Sequence, residues 1–279
     1  MRIAPSTLRH GLFTLFLGLF AATALAGPDP ALKAAIDGPQ RSAENRARDI
    51  WRHPLETLTF FGLRSDMSVV EISPGGGWYT EILAPYLREK GTLYAAAYPA
   101  DVPGEEGEYY RKSRAAFESR LAASPAVYDR VKVTDFYAPT RLEMAPAGSA
   151  DLVLTFRNMH NWLDEQGSEV KVLEAAFRAL KPGGVLGIVE HRTPKAVSRK
   201  DMFQLGYMDE ATVIDAAKKA GFVLEEKSEI NANPRDTHDH PEGVWTLPPT
   251  LALGDKDREK YVAIGETDRM TLRFRKPAQ

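Results

Sequence analysis

"VVEISPGGGWYT" at residues 69–80 places three consecutive glycines directly after an apolar run and directly before two aromatic residues. Glycine in a helix or strand interior costs about 0.5–1 kcal/mol relative to alanine, so a triplet is unfavourable unless the backbone needs positive φ or close approach. A turn from a strand into a helix needs one glycine or two. The third glycine therefore indicates that another molecule comes close to the main chain at this turn.

The segments on both sides of this turn alternate between strand and helix patterns. Short apolar strand patterns occupy residues 67–72, 91–98, 130–136, 150–158, 185–192, 223–230 and 269–276. Helical spacing occupies residues 41–52, 54–61, 78–90, 108–123, 168–180 and 209–222. This alternation predicts an α/β fold with a Rossmann-like, seven-stranded, mostly parallel sheet and helices on both faces. Pro85 is expected to kink or break its helix. The last strand follows a loop region, so we expect it to be antiparallel.

Three regions make up the predicted organisation. Residues 27–66 form an N-terminal helical segment, and residues 67–279 form the α/β domain. Within that domain, residues 231–268 connect the last two strands and are rich in proline, glycine, histidine and charge. Connections this long are usually functional or disordered. We predict that this insert is a lid over the acceptor pocket, with Trp245 folded inward.

The composition excludes several classes of function. The 279 residues include 36 basic and 38 acidic ones, for a formal net charge of −2, and no cysteine. Without a basic excess to neutralise a phosphate backbone, a nucleic-acid partner is not expected. The absence of cysteine excludes cysteine-ligated zinc, iron–sulfur clusters, disulfides and cysteine nucleophiles.

The N-terminus has the layout of a cleavable export signal. Arg2 and Arg9 precede the apolar stretch "GLFTLFLGLFAATA" at residues 11–24, and "ALA" then supplies small residues at the cleavage site. The apolar stretch is shorter than the about 20 residues of a membrane span. We predict a signal peptide at residues 1–26, cleaved after Ala26, and a periplasmic or secreted mature chain with no stable membrane span. A retained N-terminal anchor is the alternative.

The glycine turn lies where open α/β sheets bind ligands, beyond the carboxyl ends of the strands and near the point where strand order reverses. Its spacing is not the Gly-x-Gly-x-x-Gly dinucleotide fingerprint. It resembles the first motif of class I S-adenosylmethionine-dependent methyltransferases, in which an acid at the strand end precedes a glycine-rich turn. Glu71 matches the acid. Gly75 and Gly77 match the second and third glycines, whereas Ser73 replaces the first.

The resemblance covers residues 67–276, nearly the whole mature chain. "ADLVLTFRNMHNW" and "LKPGGVLGIVE" lie where that fold has its fourth strand and the turn before its fifth. "GGGWYTEILAPYL" and "GVWTLPPTL" resemble, more narrowly, a group of exported, uncharacterised predicted methyltransferases. The resemblance implies S-adenosyl-L-methionine as cofactor. We expect a small-molecule acceptor, because the Asn/Asp-Pro-Pro-aromatic run of enzymes that methylate amino groups of nucleic acids and glutamine is missing.

The resemblance also implies which residues bind the cofactor. An acid after the third strand meets the adenine amino group in the family, and Asp135 takes that place here, with Phe136 against the ring. The predicted cofactor-binding residues are Glu71, Ser73, Gly75, Gly76, Gly77, Tyr98, Asp101, Asp135, Phe136 and Arg157.

One position departs from the family pattern. The second strand usually ends in a carboxylate that binds both ribose hydroxyls, and this chain has Ala97 there. A buried hydroxyl without a partner costs about 1–3 kcal/mol. Tyr98, Asp101 or Glu105 would therefore have to replace that carboxylate, or the cofactor binds weakly.

The end of the fourth strand supplies the predicted catalytic residues. Methyl transfer needs an acceptor aligned behind the methyl carbon and, where the acceptor loses a proton, a general base. His160 in "RNMHNW" is the predicted base, and Asn158 is predicted to orient the acceptor or the amino-acid end of the donor. Arg157 is placed to meet a carboxylate. Trp78 and Tyr79 follow the glycines, and either face the sulfonium or pack in the core.

Two histidine-containing clusters were compared as metal sites. His238, Asp239 and His240 lie in the insert, and Glu190 with His191 ends the fifth strand. Two histidines with carboxylates can bind a divalent metal. His238 and His240 are separated by one residue in a predicted loop, so their side chains can diverge. We predict a surface loop and no metal.

Two functions from different classes are compatible with these patterns. The first is a methyltransferase acting on a small molecule. The second is a non-catalytic exported protein that binds another ligand in the same crevice. S-adenosylmethionine is made inside cells and is too polar to cross a bilayer unaided, so export conflicts with its use unless a carrier exists. The glycine turn, Asp135 and the end of the fourth strand nevertheless favour the enzyme.

Overall fold

The computed structural model describes residues 29–278, and the predicted signal peptide at residues 1–26 lies outside the described residues. The strands are β1 (Ser68–Ile72), β2 (Thr92–Ala97), β3 (Lys132–Asp135), β4 (Ala150–Phe156), β5 (Leu180–His191), β6 (Val223–Ser228) and β7 (Arg269–Arg275). The helices of the first half are α1 (Pro30–Asp37), α2 (Ala43–Arg46), α3 (Asp49–Arg52), α4 (Pro54–Phe60), α5 (Thr80–Leu87), α6 (Gly104–Ala123) and α7 (Pro125–Tyr128). Those of the second half are α8 (Ser168–Ala179), α9 (Arg199–Leu205), α10 (Glu210–Lys219) and α11 (Arg258–Ile264). Short 3-10 helices cover Met159–Trp162 and Gly243–Thr246.

The seven strands of residues 29–278 form one sheet in the order β3-β2-β1-β4-β5-β7-β6. The pairs from β3 to β5 are parallel, and β7 lies antiparallel between β5 and β6. The predicted Rossmann-like, mostly parallel sheet with an antiparallel last strand is therefore confirmed. Successive strands run outward from β1 to β3 on one side and from β4 to β5 on the other, so strand order reverses between β1 and β4.

The carboxyl ends of the central strands meet at one edge of the sheet. Ile72 at the end of β1 lies opposite Ala96 of β2 and Thr155 of β4. The glycine turn begins at this edge, at the point where strand order reverses. Ligands of open α/β sheets bind in that position.

The central strands β1, β4 and β5 are buried on both faces, which explains why they are nearly continuous apolar runs. Alternate residues of β1 belong to different cores: Val70 and Ile72 pack on the face covered by α8 and α10, and Val69 packs on the opposite face with Leu58 and Ile82. All five side chains are fully buried. The central strands are therefore fixed on both sides, and their carboxyl ends hold the site residues in place.

The helix predicted at residues 41–52 is interrupted: the structure has two short helices, α2 and α3, instead. The carbonyl oxygen of Asn45 accepts a hydrogen bond from the indole nitrogen of Trp78 at 3.0 Å and from the amide of Arg48 at 3.2 Å. A continuous helix would pair that carbonyl with the amide of Asp49. The break between α2 and α3 therefore coincides with a long-range hydrogen bond to Trp78, which the local spacing of apolar residues could not predict.

Helix α5 continues through Pro85 to Leu87, although a kink or break was expected there. Proline has no N–H, so the carbonyl of Glu81 one turn earlier loses its helical partner. The side-chain amide of Gln40 donates to that carbonyl at 3.0 Å. The N-terminal segment therefore supplies the hydrogen bond that the proline removes.

The predicted insert at residues 231–268 contains local structure, namely the second 3-10 helix and α11. Asn231 at its start donates to Thr57 at 3.0 Å and to Thr271 at 2.9 Å, both through buried side chains. These bonds fix the insert to α4 and β7. Of the helices in residues 29–278, none has the length and apolarity needed to span a membrane.

Candidate active site

The glycine turn uses positive φ at alternate positions. Ser73, Gly75 and Gly77 have φ values of 50°, 57° and 82°. Ser73 thus adopts the left-handed conformation that glycine favours, at the place where the methyltransferase motif has its first glycine. Such strain in a non-glycine residue is often concentrated at functional sites.

The middle glycine has a different role. Gly76 does not need positive φ, and a Cβ built on Gly75 or Gly76 would meet no atom within 4 Å. A Cβ on Gly77 would instead lie 3.3 Å from the Phe117 ring. The bare main chain at residues 75–76 therefore borders open space, whereas Gly77 allows close packing against α6.

This open space is a cavity of about 460 Å³ at the carboxyl edge of the sheet. Its size is typical of a small-molecule site. Eight of the predicted site residues line it: Glu71, Ser73, Gly75, Gly76, Tyr98, Arg157, Asn158 and His160. Residues from the N-terminal helices and the insert complete the wall, including Arg48, Arg52, Val244, Trp245 and Glu266.

Glu71, the predicted strand-end acid, is buried with 2% of its surface exposed. The hydroxyl of Thr80 at the start of α5 donates to its Oε2 at 2.6 Å. Burial raises the pKa of Glu71 to about 7, against the opposing effect of that hydrogen bond. The carboxyl group therefore joins β1 to α5 directly beneath the glycine turn.

Four predicted cofactor residues lie outside the cavity wall. Gly77 packs against α6, as described above. Asp101 is exposed and forms an ion pair with Arg141 at 3.1 Å. Asp135 is half exposed and accepts a hydrogen bond from Arg114 at 2.7 Å.

The fourth of these residues, Phe136, is a core residue in the structure. Its ring is 1% exposed and meets Trp162 edge to face at 5.8 Å between centroids. Tyr98 does line the cavity, beside Tyr109 at 6.1 Å, and burial raises its pKa to about 12. Tyr98 and Asp101 are the two predicted cofactor-binding residues that follow β2, and of these Tyr98 reaches the cavity.

Arg157 and Asn158 follow β4 directly and have distinct environments. Arg157 has a φ of +61°, so its backbone is left-handed, as that of Ser73 is. The amide nitrogen of Asn158 donates to the carbonyl of Ile72 at 3.1 Å and to the hydroxyl of Thr155 at 3.2 Å. Asn158 therefore ties the ends of β1 and β4 together. Its side-chain oxygen makes no hydrogen bond with any residue in the described range.

His160 is buried and held by Glu190. The distance from His160 Nδ1 to Glu190 Oε1 is 3.0 Å. The Glu190 carboxylate also accepts from the backbone amides of His191 at 2.8 Å and Met159 at 2.5 Å. Because those oxygens act as acceptors, we assign the proton to Nδ1, which leaves Nε2 unprotonated.

His191 lies beside this pair, with its Nδ1 2.6 Å from the Thr267 hydroxyl. Burial first, and then the charges of His160 and the nearby arginines, lower the pKa of His191 well below its ordinary value. One donor atom from each of His160, Glu190 and His191 lies within 4.8 Å of the others, close enough to hold a metal ion. Sequence patterns identified Glu190 and His191 but not their contact with His160.

The two aromatic residues after the glycines are both packed. The indole of Trp78 lies between the guanidinium groups of Arg41 and Arg52, at 4.8 and 4.7 Å from the ring centroid. Tyr79 stacks on Phe156 with ring planes 9° apart. Core packing therefore accounts for the rings of both residues, which also border the cavity.

A cluster of two buried and two half-buried arginines was not predicted from the sequence. It consists of Arg48, Arg52, Arg157 and Arg269 around the carboxylate of Glu266. Glu266 accepts from Arg48 at 2.7 Å, from Arg52 at 3.0 Å and from Arg269 at 3.1 Å. Burial opposes ionisation, but the four arginines outweigh it and lower the pKa of Glu266 to about 2.

The sequence carried only a weak signal for this cluster. Arg48 and Arg52 are four residues apart, the spacing of one helix face. Glu266 lies 218 and 214 residues later in the chain. Only the tertiary structure brings the acid between them.

The insert contributes one wall of the cavity, and Trp245 is part of it. The ring centroids of Trp245 and His160 are 5.9 Å apart. His238 and His240 bond to different acids: His238 to Asp268 at 3.4 Å and His240 to Asp236 at 3.0 Å. His240 and Asp236 are buried, so the prediction of a surface loop is wrong at this pair.

A scan against protein-family models gave no match to the chain, and a search of curated proteins gave none either. Solved structures do match. An S-adenosylmethionine-dependent methyltransferase from Aquifex aeolicus is 19% identical, with 89% of this chain and 98% of that chain covered and a TM-score of 0.51. An arsenic(III) S-adenosylmethionine methyltransferase from Chlamydomonas reinhardtii is 16% identical, with 90% and 74% covered and a TM-score of 0.50.

A [4+2]-cyclase, SpnF, is similar as well: it is 17% identical, with 90% of this chain and 92% of that chain covered and a TM-score of 0.52. At these identities the likeness shows the fold alone, because one fold hosts many chemistries. The chain thus has the fold of S-adenosylmethionine-dependent methyltransferases, with a cavity at the edge where that fold binds its ligands.

Proposed function

We propose that this protein is an S-adenosyl-L-methionine-dependent methyltransferase that acts on a small-molecule acceptor. The observation that carries the proposal is the bare main chain of Gly75 and Gly76, which faces a cavity of about 460 Å³ at the switch point of a methyltransferase fold. A side chain there would occupy that space. A cofactor that lies flush against the backbone explains why the turn has a third glycine.

The residues present fit the cofactor. Ser73, Gly75 and Gly76 would hold its amino-acid end by main-chain contacts, and Tyr98 would take the place of the missing carboxylate at Ala97. Asp101 is our weaker candidate for that replacement, because it is exposed and paired with Arg141. S-adenosylmethionine, when bound, supplies a methyl group on a positively charged sulfur.

In the proposed mechanism, His160 is the general base. Glu190 holds Nδ1–H, so Nε2 would be the nitrogen that takes the proton lost by the acceptor hydroxyl or amine. The Glu190 carboxyl group, 3.0 Å from Nδ1, would stabilise the imidazolium that forms. Asn158 would orient the acceptor through its free side-chain oxygen, and the insert with Trp245 would exclude water.

Calorimetry on residues 27–279 tests the proposal. We expect S-adenosylhomocysteine and S-adenosylmethionine to bind with micromolar dissociation constants. No heat at millimolar ligand would reject the methyltransferase and favour the non-catalytic ligand-binding protein. Binding of both compounds followed by transfer of label to a metabolite from a screen would identify the acceptor class.

We also propose that the chain belongs with exported proteins. The basic start, the short apolar stretch and the Ala-x-Ala ending at Ala26 support cleavage there. Sequencing the N-terminus of the protein from the periplasm or medium should return Gly27. A chain that retains Met1 and stays in the cytoplasm would remove the conflict between export and cofactor supply, and would contradict this part of the proposal.

A further inference from the structure

The arginine cluster has more positive charge than its partner can balance. Four guanidinium groups face one carboxylate, that of Glu266, whose side chain is 4% exposed. Arg52 and Arg269 are each 2% exposed. Burying charge without a partner is costly, and real proteins pair such groups or leave them for a charged ligand.

Arg157 is the member of the cluster without a partner. Within residues 29–278 its guanidinium makes no hydrogen bond or ion pair, whereas its backbone amide donates to Val189 at 2.7 Å. Burial lowers the pKa of Arg157, which reflects the cost of its charge in this position. Buried nitrogens of Arg48 and Arg52 also have no hydrogen-bond partner. All three side chains border the cavity.

Two members of the cluster, Arg157 and Arg269, lie where β4, β5 and β7 meet the cavity. Arg157 follows β4, and Arg269 opens β7 in register with His191 of β5. The glycine turn and Tyr98 lie beyond β1 and β2, on the other side of the switch point. His160, the proposed base, comes three residues after Arg157. An anion bound at Arg157 would therefore lie at the end of β4, as the proposed base does.

We propose that the arginine cluster binds a carboxylate or phosphate group of the methyl acceptor, so that the acceptor is an anionic small molecule. This inference rests on the proposed function. Guanidinium groups suit such a ligand because their planar N–H forks match the oxygens of carboxylate and phosphate in paired hydrogen bonds. Binding would supply the missing partner of Arg157 and would orient the acceptor toward His160.

Titrations with inorganic phosphate and acetate test the inference directly. The wild-type protein should bind at least one of them both alone and when saturated with S-adenosylhomocysteine. Arg157→Gln should weaken that binding at least tenfold, and Arg157→Lys, which keeps the charge but loses the fork, should weaken it less. Arg64→Gln is the matched control, because Arg64 pairs with Asp66 on the surface before β1, at the opposite edge of the sheet.

The arginine cluster could instead bind the carboxylate of the cofactor's amino-acid part. Comparison of S-adenosylhomocysteine with 5′-methylthioadenosine, which lacks the amino-acid part, separates the two. We expect Arg157→Gln to leave both affinities within twofold of wild type. The inference is overturned if the variant weakens only S-adenosylhomocysteine, or if neither phosphate nor acetate binds the S-adenosylhomocysteine complex.

The outcomes distinguish this inference from the proposed function. Binding of S-adenosylhomocysteine without any binding of phosphate or acetate rejects the anionic acceptor alone. Anion binding without S-adenosylhomocysteine binding rejects the methyltransferase. Circular dichroism must show that Arg157→Gln folds; should it not, the wild-type titrations still decide, because the anion must bind and must do so more weakly at high salt.

Discussion

His160 and Glu190 form the pair on which the proposed chemistry depends. Glu190 accepts hydrogen bonds from two backbone amides as well as from His160, so its carboxylate is fixed in position and holds the imidazole in one tautomer. General-base catalysis of this kind contributes about 10²–10⁴-fold to a rate.

We predict that His160→Gln lowers kcat by at least about 100-fold, because glutamine cannot take a proton from the acceptor. The dissociation constant of S-adenosylhomocysteine should stay within twofold of wild type. Turnover with an acceptor from a metabolite screen and calorimetry provide the two measurements. His238→Gln is the matched control, since His238 lies outside the cavity wall and bonds to Asp268.

Equal losses of turnover and cofactor affinity in His160→Gln would assign this residue to binding rather than catalysis. A chelator serves as a second control. If the wild-type activity vanished with chelator and returned with a divalent metal, His160, Glu190 and His191 would act as metal ligands and not as a base and its support.

Sequence reasoning placed single residues with uneven success. Eight predicted site residues line the cavity, because residues at strand ends and in the glycine turn are positioned by the fold itself. Asp101 and Asp135 lie outside its wall, where they pair with Arg141 and Arg114. Phe136 lies outside it because its ring packs in the core against Trp162. Glu190 was found by position but not by role, because its contact with His160 joins two different strands.

Two neighbouring glycines of the glycine turn have different roles, one in folding and one in ligand binding. Gly77 needs positive φ and close packing, whereas Gly76 needs neither and borders the cavity. A substitution at Gly77 should therefore mainly lower stability, whereas a substitution at Gly76 should mainly weaken ligand binding.

We predict that Gly76→Ala leaves the free energy of unfolding within about 0.5 kcal/mol of wild type. Its methyl group should nevertheless weaken S-adenosylhomocysteine at least tenfold, because it projects into the space left for the ligand. Gly77→Ala should instead lose about 1–2 kcal/mol of stability, the cost of a left-handed conformation with a Cβ. Chemical denaturation and calorimetry measure the two quantities.

Gly254→Ala is the control for these variants. Gly254 has φ +62° and no atom within 4 Å of a built Cβ, and it lies away from the cavity wall. It should lose stability like Gly77→Ala and keep wild-type ligand affinity. Unchanged binding in Gly76→Ala would remove the argument that a ligand lies against this main chain.

The elements themselves followed from the sequence where their signals were local. Apolar runs of six to nine residues identified the buried strands. Glycine and proline residues in the turns marked where the neighbouring elements end. Helices α1, α7, α9 and α11 were not predicted individually, and the helix predicted at residues 41–52 is divided. The division coincides with the Trp78 bond to Asn45, which connects residues 33 positions apart and leaves no trace in local spacing.

At the scale of the whole molecule, the alternation of strands and helices predicted the sheet and its antiparallel last strand, because crossover handedness restricts the topology. The closure of the cavity was not predictable. It depends on the N-terminal helices meeting the insert, with Arg48 and Arg52 on one side and Glu266 on the other. Charges so far apart in the chain become partners only after folding.

Glu266 therefore holds two distant parts of the molecule together, and we predict that Glu266→Gln lowers the free energy of unfolding by about 3 kcal/mol at pH 7. Glu225→Gln is the matched control: Glu225 also accepts from two arginines, Arg273 and Arg275, but its side chain is 32% exposed. An exposed pair contributes at most about 1 kcal/mol. Denaturation in guanidinium chloride or urea measures both variants.

The pH dependence gives an independent check with a defined sign. The arginines depress the pKa of Glu266 in the folded protein from an ordinary 4.5 to about 2, so its contribution is complete above pH 4.5 and is lost as pH falls toward 2. The wild-type protein should lose this stability over that range, and Glu266→Gln should lose less of it. A variant as stable as Glu225→Gln, with an unchanged acid profile, would mean that Glu266 does not join the N-terminal helices to the insert.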